Sequence, residues 1–562
     1  MNADSFARNL SGVILLVLLI ALPLAFLASI ALLRLYRRAV IRGMRKHMNI
    51  EQEEPLIQET SALSQEPVNT VLNIMVHDSS ADKMTKPAAN GLYSDLLQAP
   101  WRAAAIYVVA GVCYALVLTI VFLSATGNNF HLLSFLMLFW YYAWPVVVTI
   151  CLVAAGTWRT RFVIALIYFL SLLPFLALTL FTNSSVGWGQ IVVLWLLTNF
   201  IALVVLLAFL NRRIRAVGPL VLTFMIIAVT GLVILPIVVG IDSRLLRPII
   251  ILGRLFGLQG DSVFTVLFPI GFILFGGLGW LVLQWIGSWY KQKRISEQSI
   301  TIDAIWLLFG VFQSIGLIFE GERWFIASLM AFVVYKIVSW AGFTYFGRKA
   351  YTSQKSPNLL LLRVFSLGSR SERLFDILGM HWRYLGSIRL IAGPDLATAT
   401  MEPHEFLDFL SGKLARRFID SAQTLDLRIS EMDNLPDRDG QFRVNDFFCY
   451  DDVWKMVLSR LISTSDVVLM DLRSFSSQNA GCIFEINELI NTVTLERMIF
   501  IIDETTDEIF LRQVLQQAWD GMRSTSPNRF GTSGLLHLFC LKGLGNHDVG
   551  HFLQVLSRAV TA

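Results

Sequence analysis

Nine runs of about 20 apolar residues constrain this chain more than any other feature, because a helix of that length crosses a hydrocarbon core about 30 Å thick. They fall at roughly 11–33, 103–124, 132–155, 162–181, 190–210, 218–241, 264–287, 300–319 and 324–346. Of 562 residues, 55% are apolar and only 15% charged, whereas a soluble domain carries about 25% charged residues. A lipid bilayer is therefore the first partner the sequence implies. The run at 11–33 is too long for a signal peptide, and Arg34, Arg37, Arg38, Arg42, Arg45 and Lys46 follow it as a stop-transfer cluster. Residues 1–47 are thus expected to form a retained anchor.

Lysine and arginine in the short connections predict orientation. The cluster at 34–46, Arg159 and Arg161, Arg212, Arg213 and Arg215, Lys291, Lys293 and Arg294, and Arg348 and Lys349 fall on alternate connections. The connections near 125–131 and 182–189 carry no basic residue; 242–263, with Arg244, Arg247 and Arg254, is the exception. This pattern predicts a multi-pass protein of the cell (inner or plasma) membrane, with its N-terminus outside, its C-terminal domain cytoplasmic and an odd number of spans. Residues 48–99 are polar and lack helical or strand periodicity, which predicts a flexible cytoplasmic loop. Residues 100–350 then form an eight-helix transmembrane domain, followed by a linker at 351–358. Pro145, Pro174, Pro236 and Pro269 are candidate kinks. Lys336 alone among ionisable residues lies well inside a run, whereas Asp303, Glu320, Glu322 and Arg323 lie at run ends. Snorkelling or helix packing is the expected role of Lys336.

Several function classes are excluded. The five cysteines (113, 151, 449, 482 and 540) form no CxxC pair, and the eight histidines show no metal-ligand spacing, so neither a disulfide framework nor a metal site is expected. No basic tract with interleaved aromatics points to nucleic acid, and the net charge is a modest +5.

The texture changes at 359. LLLLRVFSLG (359–368), SIRLIAG (387–393), DVVLMDL (466–472), MIFIID (498–503) and LLHLFCLK (535–542) read as buried strands. Helical stripes separate them at 372–385, 451–462, about 480–493 and 506–522, with a last helix at 547–560. The stretch 394–450 is less regular, with a helix expected at 405–419. Continuous apolar strands alternating with helices predict an α/β domain with a parallel sheet covered on both faces. Such sheets bind ligands beyond the carboxyl ends of their strands, here the loops 366–371 and 471–481.

The strand 466–472 and the Gly481-Cys482-Ile483-Phe484-Glu485 that follows it resemble the TIR domain, a flavodoxin-like module. The Cys-x-x-Glu opening of its helix is kept here, while the tryptophan that precedes it in TIR domains is replaced by Gly481. Asp471, Gly481 and Glu485 are also similar to the pattern of nucleoside deoxyribosyltransferases. Either resemblance, over 359–562, implies N-glycosidic chemistry: an NAD glycohydrolase or a nucleoside or nucleotide N-glycosidase, with NAD or a related nucleotide as substrate and no permanently bound cofactor. Glu485 would be the catalytic carboxylate, facing an oxocarbenium-like sugar. Ser366, Gly368 and Ser369 occupy the loop that lines the TIR ligand site, and Arg370 and Arg473 would meet phosphate or carboxylate groups. Asp471 would bond a ribose or else cap the turn after its strand. On a helical wheel Glu485 lies near Leu489 and Cys482, on the shoulder of the apolar stripe. Three readings stay open: a membrane-anchored effector or signalling enzyme, a non-catalytic scaffold that self-associates, and a transporter or channel regulated by a ligand-sensing domain.

Overall fold

A computed structural model describes residues 3–45, 72–78, 91–127, 131–182, 187, 189–190, 192–193, 212–241, 243–257, 260–321, 324, 326–347, 356–365, 368–393, 396, 400–450, 452–529, 535–541 and 546–561. The chain divides into two compact units. One comprises Met1–Tyr36, Ala103–Lys349 and Met401–Ser411; the other comprises Arg37–Arg102, Ala350–Thr400 and Gly412–Ala562.

The first unit is helical. Among the described residues, eight helices are long and apolar enough to cross a membrane: Leu10–Met44, Gly91–Thr126, Leu132–Val153, Trp158–Phe175, Ile214–Ile241, Thr265–Lys291, Glu297–Ile318 and Ala327–Tyr345. The ninth expected run, 190–210, lies almost wholly outside the described residues. The third span is broken at Ala143, and Pro145 opens its second half, where a missing N–H costs nothing. Pro174, Pro236 and Pro269 lie inside continuous helices. The helices Arg212–Ile241 and Gly260–Lys291 approach closely at Gly231 and Gly271. A Cβ on Gly271 would come within 2.2 Å of the Gly231 carbonyl oxygen, so only glycine permits this crossing. The three arginines that break the charge pattern fall on a separate helix, Ser243–Leu255. There they alternate with exposed Leu245, Ile251, Leu252 and Leu255, the make-up of a helix lying along a headgroup layer.

Lys336 has a partner that the sequence reading did not assign to it. Its Nζ lies 2.6 Å from Asp303 Oδ2, so the ammonium is neutralised by a carboxylate on the neighbouring span rather than by snorkelling alone. Asp303 was expected at a span end, but it lies two turns inside the helix Glu297–Phe319. The short helix Pro403–Leu410 also belongs to this unit: its His404 stacks on Tyr290 at 5.6 Å, and its Leu407 fills the space over Gly287.

The second unit is built on an eight-stranded sheet: β1 (Asn73–Asp78), β2 (Leu359–Arg363), β3 (Ile388–Ile391), β4 (Phe418–Ile419), β5 (Val444–Cys449), β6 (Val467–Asp471), β7 (Met498–Ile502) and β8 (Leu535–Cys540). The strand order is β1-β8-β7-β6-β2-β3-β5-β4, and every pair is parallel. Alternation sends Leu360, Leu362, Val468, Met470, Phe500 and Ile502 into one core, under the helices Trp454–Thr464, Ala480–Thr492 and Glu508–Asp520. Leu359, Leu361, Val467, Leu469, Ile499 and Ile501 enter the opposite core with the helices Ser369–His381 and Asn546–Thr561. Burial on both faces explains why these strands read as unbroken apolar runs.

Two expectations are corrected. The segment 48–99 is not loop throughout: β1 pairs with β8 over six residues, Asn73 opposite Leu535 through Asp78 opposite Cys540. Within 394–450 the helix ends at Leu410, before Gly412 at φ 71°, and the following residues turn through Leu414–Arg417 into β4. That stretch supplies β4 and β5 to the sheet instead of a single long helix.

Two substitutions test the intramembrane pair. Lys336→Met or Asp303→Leu alone strands one charge and should lower the thermal unfolding free energy in detergent by at most about 3–5 kcal/mol. The double variant should recover most of that loss in the same melt.

Candidate functional site

The sheet reverses its winding between β2 and β6, because the chain runs outward through β3 on one side and β7 and β8 on the other. Ligands of open parallel sheets bind beyond the carboxyl ends at such a point. Here each neighbouring strand ends in a charge: Arg363 on β2, Asp471 on β6 and Asp503 just after β7. Arg363 and Asp471 are register partners on adjacent strands. The interiors of β2, β6 and β7 are covered on both faces, so in these strands charges fall only where the chain leaves the sheet.

Asp471 is committed to Arg473. Arg473 Nε donates to Asp471 Oδ1 at 2.7 Å and an Nη to Oδ2 at 2.6 Å, and the Arg473 backbone N–H donates to Oδ1 at 3.3 Å. Both side chains are buried. Asp471 thus caps the turn after β6, one of its two expected roles, while its carboxylate is taken up by a bidentate arginine. Arg473 also donates to the Arg370 carbonyl at 3.0 Å, tying the loop after β6 to the first turn of the helix after β2.

Arg370 pairs with Asp503 and donates to Ser474 Oγ at 3.1 Å and Thr505 Oγ1 at 3.2 Å. Ser474 adopts the left-handed conformation at φ 60°, uncommon for a residue with a Cβ. Its hydroxyl is shared with Thr505 Oγ1 at 2.9 Å, so the turn is held by side-chain bonds. Gly368 precedes the helix Ser369–His381 at φ 53°, ψ −119°, a geometry open to glycine. Ser366 lies outside the described residues, as does the side chain of Ser369.

Glu485 differs from these groups. The wheel placed it on the shoulder of its helix, at a cleft edge. Instead it faces inward and is only 4% exposed, on the same buried face as Cys482, Ile486 and Leu489. Its Oε2 has no hydrogen-bond partner among the described residues. Burial pushes its carboxyl up to about 8, opposed by the nearby Arg363 guanidinium. At neutral pH Glu485 is therefore predominantly a neutral acid, able to donate a hydrogen bond. Glu488, one turn on, is by contrast satisfied by Arg523 at 3.0 Å and Ser459 at 3.3 Å. Cys482 is no nucleophile: burial raises its thiol, and Glu485 and Asp471 raise it further.

Five contributors were not read from the sequence: Arg363, Phe365, Ser474, Asp503 and Thr505. Arg363 is buried, donates to the Ile391 carbonyl at 3.3 Å and lies over the Phe365 ring, 5.3 Å from its centroid. Phe365 itself is 47% exposed just beyond β2. The signal available was the apolar run closed by a charge, LLLLR and MIFIID, which repeats the DVVLMD pattern that drew attention to Asp471. Among the described residues, no group of three or more metal-ligating side chains is close enough to hold an ion. Compared with protein-family models, curated proteins and solved structures, the chain has no match.

The raised carboxyl makes a signed prediction. Unfolded, Glu485 ionises near its ordinary 4.5; folded, it keeps its proton to about 8. Stability contributed by the protonated form is full below 4.5 and declines as pH rises through that window, by up to about 1.4 kcal/mol per unit. Thermal unfolding of the wild type at pH 5.5 and 7.5 should show this decline, and Glu485→Gln should remove it. Asp471→Asn, which strands Arg473, should instead cost about 3–5 kcal/mol at both values.

Proposed function

We propose that this is a multi-pass membrane protein whose C-terminal α/β unit is a TIR-like, flavodoxin-like effector domain that cleaves the N-glycosidic bond of NAD or a related nucleotide at Glu485. The observation that carries the reading is the buried Glu485 carboxyl, with an unpartnered oxygen, at the reversal point of a parallel sheet. The order β3-β2-β6-β7-β8 supports it, being the 2-1-3-4-5 order of flavodoxin-like sheets, with β1, β4 and β5 as additions. The alternating basic connections support an outside N-terminus, a cytoplasmic α/β unit and an odd number of spans, nine in this reading.

In this reading Glu485 works by changing its charge. The neutral acid that predominates first gives its proton to solvent. The carboxylate then stabilises the positive charge that develops on the sugar as the nicotinamide leaves with the bonding electron pair, and water adds to the sugar carbon and releases a proton. Phe365 offers its exposed side chain to an aromatic base, and the partly exposed Arg370 would turn from Asp503 to meet a phosphate.

The second reading is a non-catalytic nucleotide sensor or self-associating scaffold. One observation favours it: Asp471 with Arg473, and Arg370 with Asp503, already satisfy one another.

The full chain, reconstituted at high density in vesicles and incubated with NAD, should release nicotinamide. Glu485→Gln should reduce kcat/KM by about 10²–10⁴. Because the ionised fraction of Glu485 grows tenfold per unit below about 8, kcat/KM should climb with pH towards that value and level off above it. No turnover in the wild type, with NAD binding retained, would leave the sensor reading standing.

A further inference from the structure

The sheet carries a second cluster of titratable groups, away from the strand ends discussed above. His77 of β1 and His537 of β8 sit diagonally across the parallel pair, with His77 Nε2 2.9 Å from His537 Nδ1. Their rings stack at 5.2 Å between centroids, and His551 of the helix Asn546–Thr561 meets His77 edge-on at 6.1 Å. His77 is only 4% exposed, whereas Met75 and Val76 on the same strand are open to solvent. β1 is the edge strand, joined to the sheet through β8 alone, so its hold rests on one ladder, the packing of Leu72 and Ile74 on the core, and this histidine contact.

A hydrogen bond between two imidazole nitrogens needs one donor and one acceptor. The facing nitrogens of His77 and His537 can therefore share one proton and no more. A proton added at the accepting nitrogen removes the acceptor and leaves a cation facing an N–H, and two cations are in contact in a buried site once both rings are protonated. Charged groups on the elements packed against the pair bear on this. The described residues of β7 carry none; Glu496, in the turn Leu495–Arg497 before it, favours the charged form of His537, while Arg558 of the helix Asn546–Thr561 opposes it. His551 is a third imidazole beside the pair. Tyr93, near Gly550 on that helix, stays neutral there.

We infer that β1 is an acid-released strand: it docks on β8 while one of the facing nitrogens of His77 and His537 can accept a hydrogen bond from the other, and leaves the sheet edge when both rings are protonated. Burial lowers His537 below the ordinary imidazole value, so the docked state binds fewer protons than the released one. Docking is then full above about 6.5, the ordinary value, and is lost as pH falls below it.

Hydrogen exchange of the full chain in nanodiscs, corrected for intrinsic rates, measures this directly. At pH 7.5 the amides of 73–78 should be protected. Protection should fall about tenfold per unit below pH 6.5 while β2, β6 and β7 stay protected. The double variant His77→Gln/His537→Gln, which keeps a donor and an acceptor but cannot charge, should hold β1 at both pH 7.5 and 5.5. Unchanged wild-type protection at pH 5.5 would overturn the inference. So would a loss shared equally by β6 and β7, or the same acid loss in the double variant. Should that variant leave β1 unprotected throughout, His537→Gln alone decides: docked at pH 5.5 supports the latch, and acid release identical to the wild type refutes it.

Discussion

Complete burial of the central strands governs the second unit. β2, β6 and β7 are covered on both faces, so no charge can sit along them, and every polar group they carry is driven to their carboxyl ends. That single constraint concentrates Arg363, Asp471 and Asp503 at one place. Neutralisation there is then compulsory, and the chain achieves it with Arg473 and Arg370 from the two loops that leave β6 and β2. The paired side chains stitch those loops together, so the cluster is a structural clamp.

Within this clamp Glu485 is the exception. Asp471 and Asp503 at the rim each have a cation in contact, whereas Glu485 is governed by burial, with Arg363 acting on it electrostatically. Burial keeps the proton on it, which removes the cost of a bare charge at neutral pH. A ligand that brings positive charge near it would invert that balance. The environment therefore suits the role proposed for Glu485.

Much of this was legible in the sequence, for identifiable reasons. The spans announced themselves because lipid demands long apolar runs, and the parallel sheet did so because two-sided burial removes alternation. Asp471 and Glu485 were visible as polar residues at a strand end and a helix start. Other features were not. β1 is short and half exposed, and its six residues pair with a partner far away in the chain, so no local pattern marks it. The depth of Glu485 depends on the packing of its helix against the sheet, which a wheel fixes only to within a shoulder. The pairing of Lys336 with Asp303 joins two spans whose relative rotation no single-helix pattern reveals.

The position of β1 in the chain bears on how the sheet is assembled. His77 and His537 are separated by 460 residues, and most of the membrane-spanning helices are made between them. The first strand to be synthesised must wait for the last. Through that interval it is a short apolar segment with two open edges, and its closure is a contact of the highest sequence separation and correspondingly slow. A fragment starting at the linker would lack it altogether and leave β8 as a bare edge, a surface prone to recruit strands from other molecules. The sheet is thus completed by a piece of chain that precedes seven of the eight described spans, so its closure waits until those spans and β8 have been made.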